Sequence, residues 1–88
     1  MLDSGKARRR YRSGVNRFKR GDNRAARRLF QRAIQADRRY APAYRGLGLV
    51  YRRQHRSAAA VRAFRKYLRL APRAKDRKLI NRLIRQLS

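Results

Sequence analysis

Between Ala41 and Ala74, apolar residues recur at spacings of three and four, and that rhythm leaves the chain little choice but helix. Tyr44, Leu47, Gly48 and Tyr51 make one run. Ala60, Val61, Phe64, Tyr67 and Leu68 make a second. Such spacing puts each set on one face of an amphipathic helix. Between them, Gln54-His55-Arg56-Ser57 has no apolar residue and predicts a tight turn. Ser57 is expected to cap the second helix, its hydroxyl accepting from a free N–H of the first turn. Pro42 stands at the start of the first helix, where its missing N–H costs little. Pro72 stops the second. Gly48, Ala60 and Ala63 are small enough to let two helices approach closely. The stretch predicts a helical hairpin.

The offsets of Tyr44, Leu47, Gly48, Tyr51, Ala60, Phe64 and Pro72 resemble those of a tetratricopeptide repeat, a helix–turn–helix unit of 34 residues. His55 stands where that family usually has a turn glycine, and Tyr67 where it usually has alanine. A left-handed turn strains any residue but Gly, although His tolerates it better than most. In the same phase, Ala7 to Tyr40 reads as a weaker copy. Gly14, Gly21, Ala26, Phe30 and Ala33 take its packing positions, and Tyr11 and Phe18 add apolar area. Arg10 and Arg17 fall where the family buries aromatics, Arg38 replaces the usual proline, and Asn23 a common aromatic. A terminal repeat has no neighbour on its outer face, so cationic stems can lie along it with their heads in water.

Lys75 to Ser88 carries a stripe of Leu79, Ile80, Leu83, Ile84 and Leu87. The resemblance implies a capping helix that completes the core. A membrane-surface or coiled-coil role is the alternative, but two turns of heptad are too short for an independent coiled coil. The expected fold is all-α: antiparallel helical hairpins stacked as a short tetratricopeptide-type solenoid. Its five helices are expected at 7–20, 23–37, 41–53, 57–71 and 75–87. A tail (1–6) precedes repeats at 7–40 and 41–74, and the cap covers 75–88.

Charge sets the functional reading. The 88 residues hold 28 Lys and Arg against 4 acids, a formal charge of +24, with no Glu and no Cys. Helical surfaces ordinarily mix both signs. The remaining acids stand where a helix uses them. Asp22 and Asp76 are expected to open helices, satisfying free N–H groups and opposing the dipole. Asp37 precedes the position of the repeat's usual proline. This reads as surface replacement by Arg with structural positions spared, through engineering or strong selection. Arg20, Arg24, Arg28 and Arg32 follow one another at four-residue steps and repel. No apolar run approaches bilayer length, and MLDSGKARRR lacks a signal peptide's apolar segment. A cytoplasmic location is the default expectation.

Enzymatic chemistry finds little material. One His and four scattered Asp supply no acid–base pair. His55 has no partners at metal-ligand spacing. Ser4, Ser13, Ser57 and Ser88 lack a nucleophile elbow, and Gly46-Leu47-Gly48 lies within a helix, not after a strand. Neither cofactor nor metal is expected.

Binding is the expected class, in two forms. The first is polyanion binding, to RNA or DNA, by phosphate neutralisation and without sequence readout. Arg suits it, since its planar fork pairs with phosphate at two points. The candidate contacts are Arg8, Arg9, Arg10, Arg12, Arg20, Arg24, Arg27, Arg28, Arg45, Arg52 and Arg53. Tyr44, Tyr51, Phe30 and Phe64 fall on core positions, so base stacking by them is not expected. The second form follows from the resemblance, which implies an acidic peptide or partner helix in a concave groove. The family's groove positions map onto Arg8, Tyr11, Val15, Phe18 and Lys19, then Pro42, Arg45, Leu49, Arg52 and Arg53. The Lys and Asn of its carboxylate-clamp members are not reproduced, since Tyr11 and Val15 stand there.

Overall fold

Two aspartates start helices by direct capping. Asp22 Oδ1 accepts from the Ala25 N–H at 3.1 Å, as expected. Asp3 Oδ1 accepts from the Lys6 N–H at 2.9 Å, which the sequence reading did not anticipate. The computed structural model describes residues 1–88. It contains five helices and no strand: α1 Ser4–Lys19, α2 Asn23–Ala36, α3 Ala41–Arg53, α4 Ser57–Leu70 and α5 Arg77–Leu87. α1 thus begins three residues before the expected 7, because Asp3 caps it and its own N–H donates to the Ala36 carbonyl at 2.8 Å. Half of the segment expected as a tail is helix.

α3 has its expected bounds, α2 and α4 start and α5 ends where expected, and the remaining boundaries move by one or two residues. α1, α2 and α4 each stop a residue early, and α5 starts two residues late. Ser57 is the first helical residue and not the cap. Arg56 holds that position, with no side-chain capping bond. Arg20 is the C-cap of α1, so the repulsive ladder on α2 contains only Arg24, Arg28 and Arg32.

The two turns that end α1 and α3 are built alike. Gly21 has φ +80° and His55 has φ +60°. After α1, the Gly21 N–H donates to the Phe18 carbonyl and the Asp22 N–H to that of Arg17. After α3, His55 donates to Arg52, and Arg56 to Tyr51. This is the Schellman pattern, which needs one left-handed residue to satisfy the last carbonyls. The two sets coincide when shifted by 34 residues. So do the bounds of α2 and α4, and α1, α3 and α5 end at the same phase.

Each helix packs on its sequence neighbour, and α1 also touches α3. Pairings run in opposite senses along neighbours. Asn23, at the start of α2, meets Arg53 at the end of α3, while Phe30 meets Gly46 further back. α2 and α3 are therefore antiparallel. The Cα radius of gyration is 12.1 Å, equal to the roughly 12 Å of a compact domain of this length.

Phe30 and Phe64, both fully buried, centre two of the three core clusters. Phe64 sits with Val61, Tyr67, Ile80, Leu83 and Ile84, so α5 closes the core over α4. Phe30 sits with Leu47 and Val50, which joins the first pair of helices to the second. A third cluster of Ala7, Ala33 and Ala43 packs where α1, α2 and α3 converge. No helix is long and apolar enough to cross a membrane.

Candidate polyanion interface

All four carboxylates are committed to the fold. Asp3 and Asp22 cap helices. Asp37 is buried and accepts from the Arg39 N–H at 2.9 Å, closing the turn into α3. Asp76 does not cap α5 with its side chain, contrary to expectation. Its Oδ2 accepts from Arg45 Nε at 2.6 Å and its Oδ1 from the Tyr67 hydroxyl at 2.7 Å. The carboxylate can do so because Arg45 on α3 and Tyr67 on α4 both face the loop before α5. Burial raises the Asp76 carboxyl, but the hydrogen bonds from Arg45 and Tyr67 outweigh it and hold the group below its ordinary value. Burial and the bond to Asp76 push Tyr67 up to about 12.

Only two ion pairs form, Arg17–Asp22 at 4.0 Å and Arg45–Asp76 at 2.6 Å. Nearly all of the 28 basic side chains therefore meet no carboxylate. Of the candidate contacts, Arg8, Arg9 and Arg12 are exposed on α1, and Arg10 is half-buried. Arg20, Arg24, Arg28 and Arg52 are exposed, and Arg27 is half-buried. Arg45 and Arg53 are not free cations. Arg45 is half-buried in its pair with Asp76. Arg53 donates from Nε to Asn23 Oδ1 and from Nη2 to the Phe18 carbonyl, both at 2.7 Å. Its guanidinium also lies 3.5 Å above the Phe18 ring centroid. Arg53 thus ties α3 to the first hairpin, through a cation–π contact and two hydrogen bonds.

The groove residues are brought together only in part. Phe18, Leu49, Arg52 and Arg53, with His55 and Leu87, line an open cleft of about 530 Å³ where α1, α3 and α5 end. Tyr11 and Val15 are half-buried against the Phe30 cluster. Arg8, Lys19, Pro42 and Arg45 do not line that cleft.

Two further clefts were not anticipated. Between α1 and α2, Lys6, Arg10, Arg32 and Gln35 line a cleft of about 260 Å³ with no acid in its wall. The signal was present in the sequence, since Lys6 and Arg10 are four residues apart on one helix face. Between α3 and α4, Tyr44, Tyr51, Arg62 and Lys66 line a cleft of about 250 Å³ floored by Leu47 and Ala63. Tyr44 and Tyr51 pack against the Phe64 cluster, as their positions predict, but each is only half-buried and also borders this cleft. The sequence pattern ranked them with Phe30 and Phe64 because helical spacing reports a face, not how completely that face is covered. No family model matches the chain, and no curated protein matches it.

Proposed function

We propose that this chain is a non-enzymatic helical-repeat module of the tetratricopeptide kind, binding polyanions such as RNA or DNA through charge and without reading sequence. Support for the repeat reading comes from the 34-residue register shared by helix ends, turn hydrogen bonds and left-handed turn residues. The same register relates two packing contacts, Gly14 against Phe30 and Gly48 against Phe64. In this reading the chain forms two stacked hairpins under a capping helix.

One observation carries the binding reading: a formal charge of +24 is offset by just two ion pairs. The exposed Arg8, Arg9, Arg12, Arg20, Arg24, Arg28 and Arg52 are the proposed contacts. Each phosphate they neutralise releases counterions. With six or more phosphates engaged, affinity falls by at least about 10³-fold between 50 and 200 mM salt. Titration of a labelled single strand, a duplex and a poly-Glu peptide over that range tests this. Steep, parallel salt dependence for all three is expected. Absence of any complex near physiological salt would overturn it.

A second reading is favoured by the cleft at Phe18, Leu49 and Leu87, whose apolar floor lies beside Arg52 and Arg53. An acidic peptide with apolar side chains fits that mixture. Salt-resistant, sequence-dependent peptide binding in the same titration would select it.

A further inference from the structure

The cleft between α3 and α4 differs in kind from the rest of the cationic surface. Tyr44 and Tyr51 stand seven residues apart on one face of α3. Opposite them α4 presents Ala59 and Ala63, which are too small to cover two rings. Both rings are left half-buried around a space of about 250 Å³. The rim is cationic. Arg62 and Lys66 lie four residues apart on α4, with the Lys66 Nζ 6.0 Å from the Tyr44 ring centroid. No carboxylate lines the cleft. Beside it, Lys66 also borders a depression walled by Arg38 and Arg39, so the cationic rim continues beyond the rings.

The first hairpin supplies an internal contrast. Shifted by 34 residues, Tyr44 and Tyr51 become Arg10 and Arg17, and Lys66 becomes Arg32. Arg10 and Arg32 line a cleft whose side chains are mostly cationic or polar. Charge is thus common to both hairpins, whereas the paired aromatics belong to the second alone.

We propose that the α3–α4 cleft seats an unpaired base of single-stranded nucleic acid against Tyr44 and Tyr51, while Arg62 and Lys66 hold the flanking phosphates. Aromatic rings beside an apolar floor, with a cationic rim, are the combination that single-strand binding uses, since every base has a face to stack and every link a charge. A duplex keeps its bases stacked inside and offers the rim only phosphates. An acidic peptide offers the rim its charge but has no base for the rings. This inference rests on the polyanion reading above and adds a preference for unpaired bases.

Three probes of equal length test it: an oligothymidine strand, an abasic strand and a duplex. At moderate salt the base-bearing strand is expected to bind about 5- to 150-fold more tightly than the abasic one. The double substitution Tyr44→Leu with Tyr51→Leu is expected to erase that difference and leave abasic and duplex binding unchanged. A gentler pair guards against misfolding. The chain has no Trp, so Tyr emission is readable, and thymidine strands are expected to quench it. Tyr44→Phe with Tyr51→Phe keeps the rings, so it is expected to keep the preference while losing most of the quenching. Equal affinity for base-bearing and abasic strands, or quenching that survives the Phe pair, overturns the cleft assignment and leaves the polyanion reading standing. Failure to bind any of the three probes overturns both.

Discussion

Phe30 and Phe64 show how little slack this core holds. A Cβ at Gly14 would come within 2.6 Å of the Phe30 ring, and one at Gly46 within 2.7 Å. A Cβ at Gly48 would press on Phe64 in the same way. Neither ring can retreat, since both are fully buried. Ala in place of helical Gly gains about 1 kcal/mol of intrinsic helix preference, whereas overpacking a filled core costs about 1–3 kcal/mol. Gly48→Ala is therefore expected to destabilise by about 1–2 kcal/mol, lowering the melting temperature several degrees. Gly5→Ala is the matched control. Its Cβ would meet only Asp3 Oδ1 at 3.6 Å and Arg9 Nη1 at 3.7 Å, so a gain of about 0.5–1 kcal/mol is expected. Thermal denaturation followed by circular dichroism reads both. A Gly48→Ala protein melting at or above the parent would show that the rings have room to move.

At the scale of elements, α5 is held by two devices of different chemistry. Ile80, Leu83 and Ile84 bury its apolar face against α4. Leu79, in the same sequence stripe, is left 42% exposed, because the stripe is wider than the surface it meets. The polar device is Asp76, reached by Arg45 from α3 and Tyr67 from α4. Asp76 and Tyr67 act at opposite ends of the pH scale. The Asp76 carboxyl is held below its ordinary value in the fold, so its contribution is present above about pH 4 and lost as acid protonates the native group. Tyr67 is raised from 10.0 to about 12, so its contribution is full below pH 10 and disappears as pH rises towards 12. Burial also raises Tyr40 and Tyr44, but Tyr67 is raised to about 12, so Tyr67→Phe is expected to remove the last-ionising tyrosine from an ultraviolet titration and to flatten the loss of stability across pH 10–12. Asp76→Ala is expected to cost about 2 kcal/mol at neutral pH, since it leaves buried Tyr67 and half-buried Arg45 without their acceptor. A Tyr67→Phe titration identical to the parent's would place the raised group elsewhere.

For the whole molecule, the opposing terms are a small core and a large unbalanced charge. A chain of this size buries about 60–65% of the surface its unfolded form exposes, which leaves a narrow margin. On α2, Arg24, Arg28 and Arg32 are exposed at four-residue steps, each like-charged pair costing about 0.2–0.5 kcal/mol. With the carboxylates already committed, screening must come from solution. The melting temperature is expected to rise with salt, and to rise further with phosphate or sulfate than with chloride at equal ionic strength. A flat or falling dependence would show that self-repulsion does not limit this fold.

Local chemistry determined the helices, the turn after each hairpin's first helix and the identity of Phe30 and Phe64 as core. Periodicity, capping aspartate and left-handed turn residues act over a few neighbours, and their signals survive in a bare string of letters. Asp3 was legible in the same way, as a capping residue before a helical run, but the run's Arg-rich start hid it. What the string could not reveal was partnership between distant residues. Asp76 reads as a cap because a sequence shows the helix that follows it and not Arg45 approaching from another helix. In the sequence Arg53 reads as a free cation, because Asn23 and Phe18 lie 30 and 35 residues away. The face of Tyr44 and Tyr51 is legible as core-directed, and both do pack on it, but the smallness of Ala59 and Ala63 across from them has no meaning until α3 and α4 lie side by side. Which side chains are enclosed, and which are left open to a ligand, depends on the volumes that meet across an interface, and those are set only when the helices pack.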